Sequence, residues 1–372
     1  MAFEQYDLRI LQISSASSFG GGERYVVDLT NALHKRGHDL YLAVRPRSPL
    51  IEHVRIAPAN IKTLPLRNAL DVPSAQELAR FIRKHEIEIV HAHMARDYSL
   101  AAYAARRNRS TKFILTRHVL FPLNRLHRQT LARAHRVIAV SNAVAKELQN
   151  QRIAKDELVT VVHNGIDTDR FDQVLAGFDR SEFLRSKGLP TDAQLVGSIG
   201  ELRTLKRHDD FIRAAAMITQ SFPQTQFVLA GVDTSPTGEV RKKLEQLVNE
   251  LHLNDRFHFL GWLDDSAKLL AALDVFVSAS ETESFGLAIA EAMAAGTVVV
   301  ATATDGAKEV VQNQETGLLV PIGDVPRIAA AIESLLTDAE NRGRLGSRAR
   351  AAVASQFSLR RMVDEIEAIY KS

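Results

Sequence analysis

Two glutamates, Glu283 and Glu291, flank a point at which a helix can begin. Gly286 lies between them, so Glu291 would lie about a turn and a half inside the helix. The unpaired N–H groups and the positive end of the helix dipole would then lie between the two carboxylates. This arrangement suits a phosphate held on backbone amides, with one acid facing a sugar and the other a ribose. An amphipathic helix that carries two acids by chance explains the same residues equally well.

Cations and glycines that suit a phosphate follow two predicted strands. Arg203 and Lys206 come after the strand predicted at residues 195–199, and a diphosphate requires fixed cations. Gly21 and Gly22 follow the first predicted strand, where a backbone without Cβ atoms can approach a ligand closely. Such a loop also suits dinucleotide binding, but no acidic residue ends the second strand as a nicotinamide site requires.

Three histidines also follow predicted strands: His91 and His93 after residues 87–90, and His118 after residues 113–116. His91 and His93 would point to one face of a strand end, which together with His118 suggests zinc. Structural histidines are more common, and no cysteine or carboxylate is grouped with the three, so we favour no metal. Asp167 and Asp169 form an Asp-x-Asp pattern that we interpret as turn chemistry.

The size and composition predict a globular protein of two domains. The 372 residues are 45% hydrophobic and 24% charged, and such a length predicts two domains of roughly 150–200 residues each. No apolar run approaches the roughly 18–20 residues that span a bilayer, and the first residues do not resemble a signal peptide. The absence of cysteine excludes disulfides, thiolate nucleophiles and cysteine-ligated metals. We therefore expect a cytoplasmic protein.

The small net charge of +3 conceals an asymmetry. Residues 1–165 contain 25 lysines and arginines against 14 acids, a balance of +11, so the remainder carries −8. Between positions 96 and 136, ten basic residues face one acid, Asp97. This region suits a phosphorylated glycolipid, an anionic membrane or nucleic acid, and equally well an ordinary solvated surface.

Strands and helices alternate along both halves of the chain. Strands are predicted at residues 8–13, 40–44, 87–90, 113–116, 137–140, 159–162, 195–199, 226–230, 257–260, 275–277 and 298–301, and helices at 23–36, 75–85 and 209–218. This alternation predicts two doubly wound parallel sheets, with ligands beyond the carboxyl ends of the strands. The domain boundary is expected near residues 165–185.

Taken in order, the motifs resemble those of the retaining family 4 glycosyltransferases, over nearly the whole chain. The motifs are Gly20-Gly-Gly-Glu23, Val140-Ser-Asn142, Asn164-Gly-Ile-Asp167 with Phe171, Gly200-Glu-Leu-Arg203 with Lys206, Phe259-Leu-Gly261, residues 283–291 and Thr316-Gly-Leu-Leu-Val320. The resemblance implies the GT-B fold, in which two Rossmann-like α/β domains with doubly wound parallel sheets face each other across a cleft. It places residues 1–170 and the C-terminal helix 357–372 in an acceptor-side domain, and residues 171–356 in a domain that binds the nucleotide sugar.

The same resemblance assigns a role to each candidate site residue. His118 and Glu283 would be the catalytic residues, both near the transferred sugar, and Glu291 would bind the ribose. The remaining donor-binding residues would be Gly21, Gly22, Arg203, Lys206, Leu260 (near the base), Phe285, Gly286 and Leu287. Where the family usually has an arginine this chain has Glu201, and we expect Arg203 to supply the missing guanidinium.

The function that the resemblance implies is a metal-independent hexosyl transfer, with retention by front-face displacement. The donor would be a nucleotide sugar, most often a UDP-sugar, used as a co-substrate without a further cofactor. The acceptor would be a hydroxyl of a saccharide or glycolipid in cell-envelope biosynthesis, with peripheral contact at the inner face of an anionic membrane and no nucleic acid partner. The alternatives are an epimerase or hydrolase of the same fold and a non-catalytic polyanion binder.

Overall fold

The structure is a computed structural model that describes residues 7–125, 127–235, 237–263 and 265–372. The chain divides into two compact units, one formed by described residues up to Gly165 together with Leu359–Ser372, the other by Ile166–Ser358. The chain crosses between them after Gly165 and again after Ser358, against predicted boundaries after residues 170 and 356.

The first unit is built on a seven-stranded sheet. Its strands are β1 (Arg9–Ser14), β2 (Asp39–Val44), β3 (Ile61–Thr63), β4 (Ile89–Ala92), β5 (Lys112–Arg117), β6 (Arg136–Ala139) and β7 (Val159–Val161). They are parallel throughout, in the order β3-β2-β1-β4-β5-β6-β7. Its helices are α1 (Gly21–Lys35), α2 (Leu50–His53), α3 (Val72–Lys84), α4 (Ala95–Arg106), α5 (His127–Leu131), α6 (Asn142–Asn150) and α16 (Leu359–Lys371).

The second unit repeats the plan with six parallel strands, in the order β10-β9-β8-β11-β12-β13. They are β8 (Leu195–Ile199), β9 (Gln226–Ala230), β10 (Phe257–Gly261), β11 (Val275–Ser278), β12 (Val298–Thr302) and β13 (Leu318–Val320). The helices are α7 (Thr168–Ala176), α8 (Arg180–Ser186), α9 (His208–Ser221), α10 (Glu239–Glu250), α11 (Ala267–Ala272), α12 (Leu287–Ala294), α13 (Asp305–Val310), α14 (Val325–Thr337) and α15 (Ala339–Gln356). The two predicted parallel sheets are therefore present.

Each sheet is covered by apolar helix faces on both sides, which explains why the central strands are continuous hydrophobic runs. Two three-residue edge strands, β3 and β13, were not predicted as strands, because runs so short show no periodicity. Helix starts follow local chemistry: Asp71, Ser141 and Thr304 each accept the backbone N–H three residues onward. Within the described ranges, no helix is both long enough and apolar enough to cross a membrane.

The C-terminal helix α16 belongs to the first unit, as predicted, and packs on α1. Met362, Ile366 and Tyr370 are fully buried there. A Cβ atom at Gly165 would lie 2.6 Å from the Leu359 Cα atom, so only glycine lets these segments meet. Tyr370 thereby reaches the interior beneath the carboxyl ends of the strands.

Candidate functional site

Each sheet contains two adjacent central strands from which the chain continues in opposite directions along the sheet. Ligands of such folds bind at the carboxyl ends of these two strands. In the second unit these strands are β8 and β11, which are adjacent and parallel. The loop after β8 carries Arg203 and Lys206, and the loop after β11 carries Glu283. The sheet order therefore brings together residues that are far apart in sequence.

Lys206 and Glu283 are in direct contact, with Nζ and Oε1 2.7 Å apart. The Ser280 hydroxyl donates to the same Oε1 atom at 2.7 Å. The Glu281 N–H donates to the Leu205 carbonyl at 2.9 Å and so joins the two loops through their backbones. Sequence reasoning assigned Lys206 and Glu283 to different parts of a ligand, and it missed Ser280, whose only signal is its place three residues before Glu283.

The loop after β8 depends on close backbone packing. Gly231 has a φ of +147°, and a Cβ atom there would lie 1.9 Å from the Gly200 carbonyl oxygen. Any other residue at 231 would displace residues 200–201. This loop then ends in a 3-10 turn, Thr204–Lys206, from which the Lys206 side chain extends.

Arg203 meets Lys206 through the backbone, where the Lys206 N–H donates to the Arg203 carbonyl at 2.9 Å, but its side chain pairs with Glu201 instead. Its side chain is 54% exposed, and its guanidinium lies 3.4 Å from the Glu201 carboxylate. Arg207, which the sequence analysis did not single out, is held more firmly: its Nε donates to Asp210 at 2.6 Å, and Nη1 lies 3.9 Å from Glu281. The assignment of Arg203 to the diphosphate therefore stays a prediction.

Helix α12 begins where the sequence predicts. Gly286 precedes it with a φ of +96°, a left-handed conformation that glycine adopts without strain. The Phe285 side chain is buried against the Phe357 ring, so only its backbone can serve a ligand. Glu291 lies on α12 and is partly buried. Leu260 is the bulge residue of the edge strand β10 and is partly buried in the core.

In the first unit, Gly21, Gly22 and His118 lie at the same sheet edge. Gly21 and Gly22 are the first residues of α1, and His118 directly follows β5, as predicted. A Cβ atom at Gly22 would lie 3.8 Å from His118 Cγ, so the two residues are neighbours. The Tyr25 ring meets the His118 ring edge-on, with 4.7 Å between centroids.

His118 is the partly buried end of a chain of hydrogen-bonded side chains that continues into the interior, and we call this chain the histidine network. Its members are His118, His93, Gln12, Tyr370, His91 and Thr116. His93 Nδ1 lies 3.3 Å from His118 Nε2, and its Nε2 lies 2.7 Å from Gln12 Oε1. The Tyr370 hydroxyl lies 3.3 Å from Gln12 Nε2 and 2.6 Å from His91 Nδ1. Gln12 and Tyr370 were not predicted site residues, because nothing in their spacing reveals the network.

The imidazoles of the network are neutral near pH 7. Burial lowers the pKa of His91 and of His118 to about 3, and it places the pKa of His93 well below 6.5. Because the Gln12 carbonyl accepts from His93 Nε2–H, His93 accepts at Nδ1 from His118 Nε2–H. His118 is then left with an acceptor lone pair at Nδ1.

Neither His91 nor His93 is placed as a metal ligand, since both ring nitrogens of each lie in hydrogen bonds. No group of three His, Asp or Glu residues suited to a metal ion occurs in the described part of the chain. Asp167 caps α7 by accepting the Arg170 N–H at 3.2 Å, which is the turn chemistry predicted for this segment.

Comparison with known proteins agrees with this geometry. The family described as Glycosyltransferase Family 4 matches residues 19–170, and the one described as Glycosyl transferases group 1 matches residues 179–352. The N-acetyl-alpha-D-glucosaminyl L-malate synthase of Bacillus anthracis is 31% identical over 310 residues, covering 81% of this chain and 78% of that protein. The D-inositol 3-phosphate glycosyltransferase of Mycobacterium marinum is 30% identical over 389 residues, covering 95% and 81%.

Solved structures share the whole fold. A glycosyltransferase from Rickettsia africae has a TM-score of 0.87 at 22% identity, covering 98% of both chains. Anabaena HepE in complex with UDP and glucose has a TM-score of 0.84 at 23% identity, covering 97% of this chain and 98% of that one. Two parallel-sheet α/β units, ordered motifs and these relatives together show that the chain is a glycosyltransferase of family 4, with the GT-B fold.

Proposed function

We propose that this glycosyltransferase transfers a sugar from a nucleotide-sugar donor, with a UDP-sugar as the favoured class, to a hydroxyl of a saccharide or glycolipid. The observation that carries the proposal is the contact of Lys206 with Glu283 beside the start of α12. Support for the donor class comes from the HepE complexes, which contain UDP, UDP with glucose, and UDP-glucose. Support for the acceptor class comes from relatives named as an N-acetyl-alpha-D-glucosaminyl L-malate synthase, a lipopolysaccharide core biosynthesis glycosyltransferase and a D-inositol 3-phosphate glycosyltransferase.

The second unit is assigned the donor. Lys206 and the amides of Phe285, Gly286 and Leu287 would hold the diphosphate, since a lysine and a helix N-terminus both stabilise anions. Lys206 and Ser280 both bond Glu283 at Oε1. Oε2 is therefore the oxygen that we assign to a hydroxyl of the transferred sugar. Glu291 and Leu260 are assigned to the ribose and the base.

The chemistry that these residues support is front-face displacement with retention. The leaving diphosphate would take the proton of the incoming hydroxyl, so neither a protein nucleophile nor a further cofactor has a role. Lys206 and the start of α12 would stabilise the negative charge that develops on the diphosphate, and Arg203 would add a weaker stabilisation of the same charge. Since His118 is neutral, we assign it a hydrogen bond from a hydroxyl of the donor sugar at Nδ1 rather than charge neutralisation.

The first unit is assigned the acceptor, and one exposed segment of it suits an anionic membrane. Val119 and Phe121 are exposed large apolar residues, and Arg125, Arg128 and Arg133 follow them as exposed cations. Apolar side chains beside cations are the composition with which proteins attach to anionic bilayers. Peripheral contact through residues 119–133 is part of the proposal.

The proposal is tested by screening sugar nucleotides for thermal stabilisation of the protein, then measuring nucleotide release from the best donor. A transferase releases nucleotide in proportion to added acceptor, whereas a hydrolase releases it equally without acceptor. Glu291→Ala should weaken nucleotide binding by about 10- to 100-fold, since charged hydrogen bonds contribute about 1.5–3 kcal/mol.

Glu315→Ala is the matched control, because Glu315 is an exposed turn residue of the same unit. We expect its nucleotide affinity to equal that of the parent protein. Unchanged affinity in Glu291→Ala would refute the donor-site assignment, and stabilisation by no sugar nucleotide would refute the proposed donor class.

A further inference from the structure

The first unit contains a cavity of about 490 Å³ that lies outside the site described above. Its walls come from the loops after β1, β2 and β3, which carry Ser17, Arg45 to Ser48, and Arg67 respectively. These three strands are adjacent and parallel, so their carboxyl ends meet at one edge of the sheet. None of these residues was a predicted site residue.

Three arginines line this cavity: Arg45 is partly buried, and Arg47 and Arg67 are exposed. Within the residues described, none of their guanidinium groups makes an ion pair or a hydrogen bond, and no acid lines the cavity. The nearby Asp71 carboxylate is occupied by the Arg67 and Ser74 backbone N–H groups and by the Ser74 hydroxyl. Asp97 is buried and accepts the Ser15 N–H at 2.7 Å. Asp71 attracts Arg67 and Asp97 attracts Arg45 through space, but neither acid forms an ion pair with these arginines. The three like charges are therefore only partly offset, and a bound anion would offset the rest.

The loops that carry the arginines are fixed. The buried Ser48 donates its hydroxyl to the Ala16 carbonyl at 3.4 Å, and the Asp71 carboxylate accepts the Arg67 N–H at 3.0 Å. Arg47 has a φ of +61° and Leu66 one of +41°, left-handed conformations that such side chains rarely adopt. Backbone of this kind persists where the surroundings impose it, and it clusters at ligand sites.

We infer that this cavity binds a phosphate monoester carried by the acceptor, an inference that depends on the proposed transfer function. Arginine forks match phosphate oxygens with two parallel hydrogen bonds each, and three of them suit a dianion. The volume admits a phosphate together with a small polyol or ring. The loop that contributes Ser17 leads within five residues to Gly22, which neighbours His118. An acceptor held by its phosphate thereby extends toward the edge that carries His118.

The test is isothermal titration calorimetry of the full chain at low ionic strength with glycerol 3-phosphate, glycerol and succinate. We expect glycerol 3-phosphate to bind measurably, glycerol not to bind, and succinate to bind more weakly. Arg45→Gln, Arg47→Gln and Arg67→Gln should each weaken binding of glycerol 3-phosphate by about 10-fold or more. Arg109→Gln is the control, since Arg109 is exposed and lies before the amino end of β5, whereas the cavity lies at the carboxyl ends of the strands.

A second arm separates a soluble phosphate from a lipid headgroup. It uses dihexanoyl phosphatidic acid below its micelle concentration, so that membrane contact by residues 119–133 plays no part. Tighter binding of this lipid, lost in Arg67→Gln, identifies a lipid acceptor, whereas tighter binding of glycerol 3-phosphate identifies a soluble one. Both outcomes support the phosphate site.

The inference is overturned if glycerol 3-phosphate binds no better than glycerol, if succinate binds more tightly, or if all three arginine variants retain the parent affinity. Its failure is distinguishable from failure of the proposed function, because the titrations contain no nucleotide and the donor screen contains no phosphate acceptor. A protein that binds UDP-sugars but not glycerol 3-phosphate would refute only the inference.

Discussion

A glycine in the first turn of helix α13 packs directly against the backbone of the loop that carries Glu283, and this contact leads to a specific prediction. Gly306 lies in the first turn of α13, and its N–H donates to the Glu283 carbonyl at 3.2 Å. A Cβ atom at Gly306 would lie 2.5 Å from that carbonyl oxygen, 2.7 Å from Phe285 N and 2.8 Å from Ser284 C. All three are backbone atoms, so no side-chain rotation can relieve the overlap.

The size of the effect follows from these distances. Ordinary Cβ contacts begin at 3.4 Å, so Gly306→Ala must move the loop by about 0.6–0.9 Å. Moving a catalytic group by about 1 Å lowers the reaction rate about 100-fold, which corresponds to about 2.7 kcal/mol of activation free energy. Overpacking costs about 1–3 kcal/mol of unfolding free energy, and the gain of alanine over glycine in a helix offsets up to about 1 kcal/mol. We therefore expect kcat/KM for the donor to fall about 10- to 100-fold in a protein that still folds.

Steady-state kinetics with the identified donor, together with urea unfolding, provide the assay. The matched control is Gly343→Ala in α15, where an added Cβ meets no atom within 4 Å. This control should gain about 0.5–1 kcal/mol of stability and keep the parent kcat/KM. If Gly306→Ala is folded and its kcat/KM lies within twofold of the parent value, the assignment of residues 283–285 to the donor is wrong.

Three further predictions concern the buried network and the cations. Tyr370→Phe should lower the unfolding free energy of the first unit by about 1–3 kcal/mol, because Gln12 Nε2 and His91 Nδ1 lose their buried partner. Tyr103→Phe, a change in a partly buried tyrosine, is the control. Equal urea midpoints for the two variants would contradict the network. Acid should destabilise the same unit, because burial lowers the pKa values of the three histidines of the network. These histidines bind protons below pH 6.5 in the unfolded chain but not in the folded one, so stability falls as pH falls. Burial raises the pKa of the Asp97 carboxyl to about 6, and this opposes the effect by about one proton. The net difference of about two protons corresponds to about 3 kcal/mol of stability lost between pH 6 and pH 5. Hydrogen exchange in urea measures this loss, and equal protection at the two pH values would refute the argument. Finally, Lys206→Gln should weaken UDP binding about 10- to 100-fold, which is the usual effect of losing a charged hydrogen bond. Arg203→Gln should weaken it less than about 5-fold, because the Arg203 side chain is largely exposed. If calorimetry with UDP finds the reverse order, the diphosphate is reassigned to Arg203.

The sequence alone was sufficient for the repeating strand–helix plan and for the family, while the donor-site residues that it suggests stay predictions. Strand periodicity and Gly286 are local signals, and the order of the motifs along the chain identifies the family without any contact being known. The start of α12 and the place of His118 after β5 could be predicted for this reason. Both predictions depend on where a helix begins or a strand ends, and the residues at these positions determine such boundaries locally.

Only the tertiary structure decided which of these residues meet. Lys206 and Glu283 touch because β8 and β11 are neighbours, and Gln12 reaches Tyr370 across nearly the whole chain because α16 returns to the first sheet. Arg45, Arg47 and Arg67 line one cavity because they lie in loops after neighbouring strands, one of which, β3, shows no periodic pattern. Pairing and close packing of this kind depend on contacts between distant segments, which no window of sequence contains.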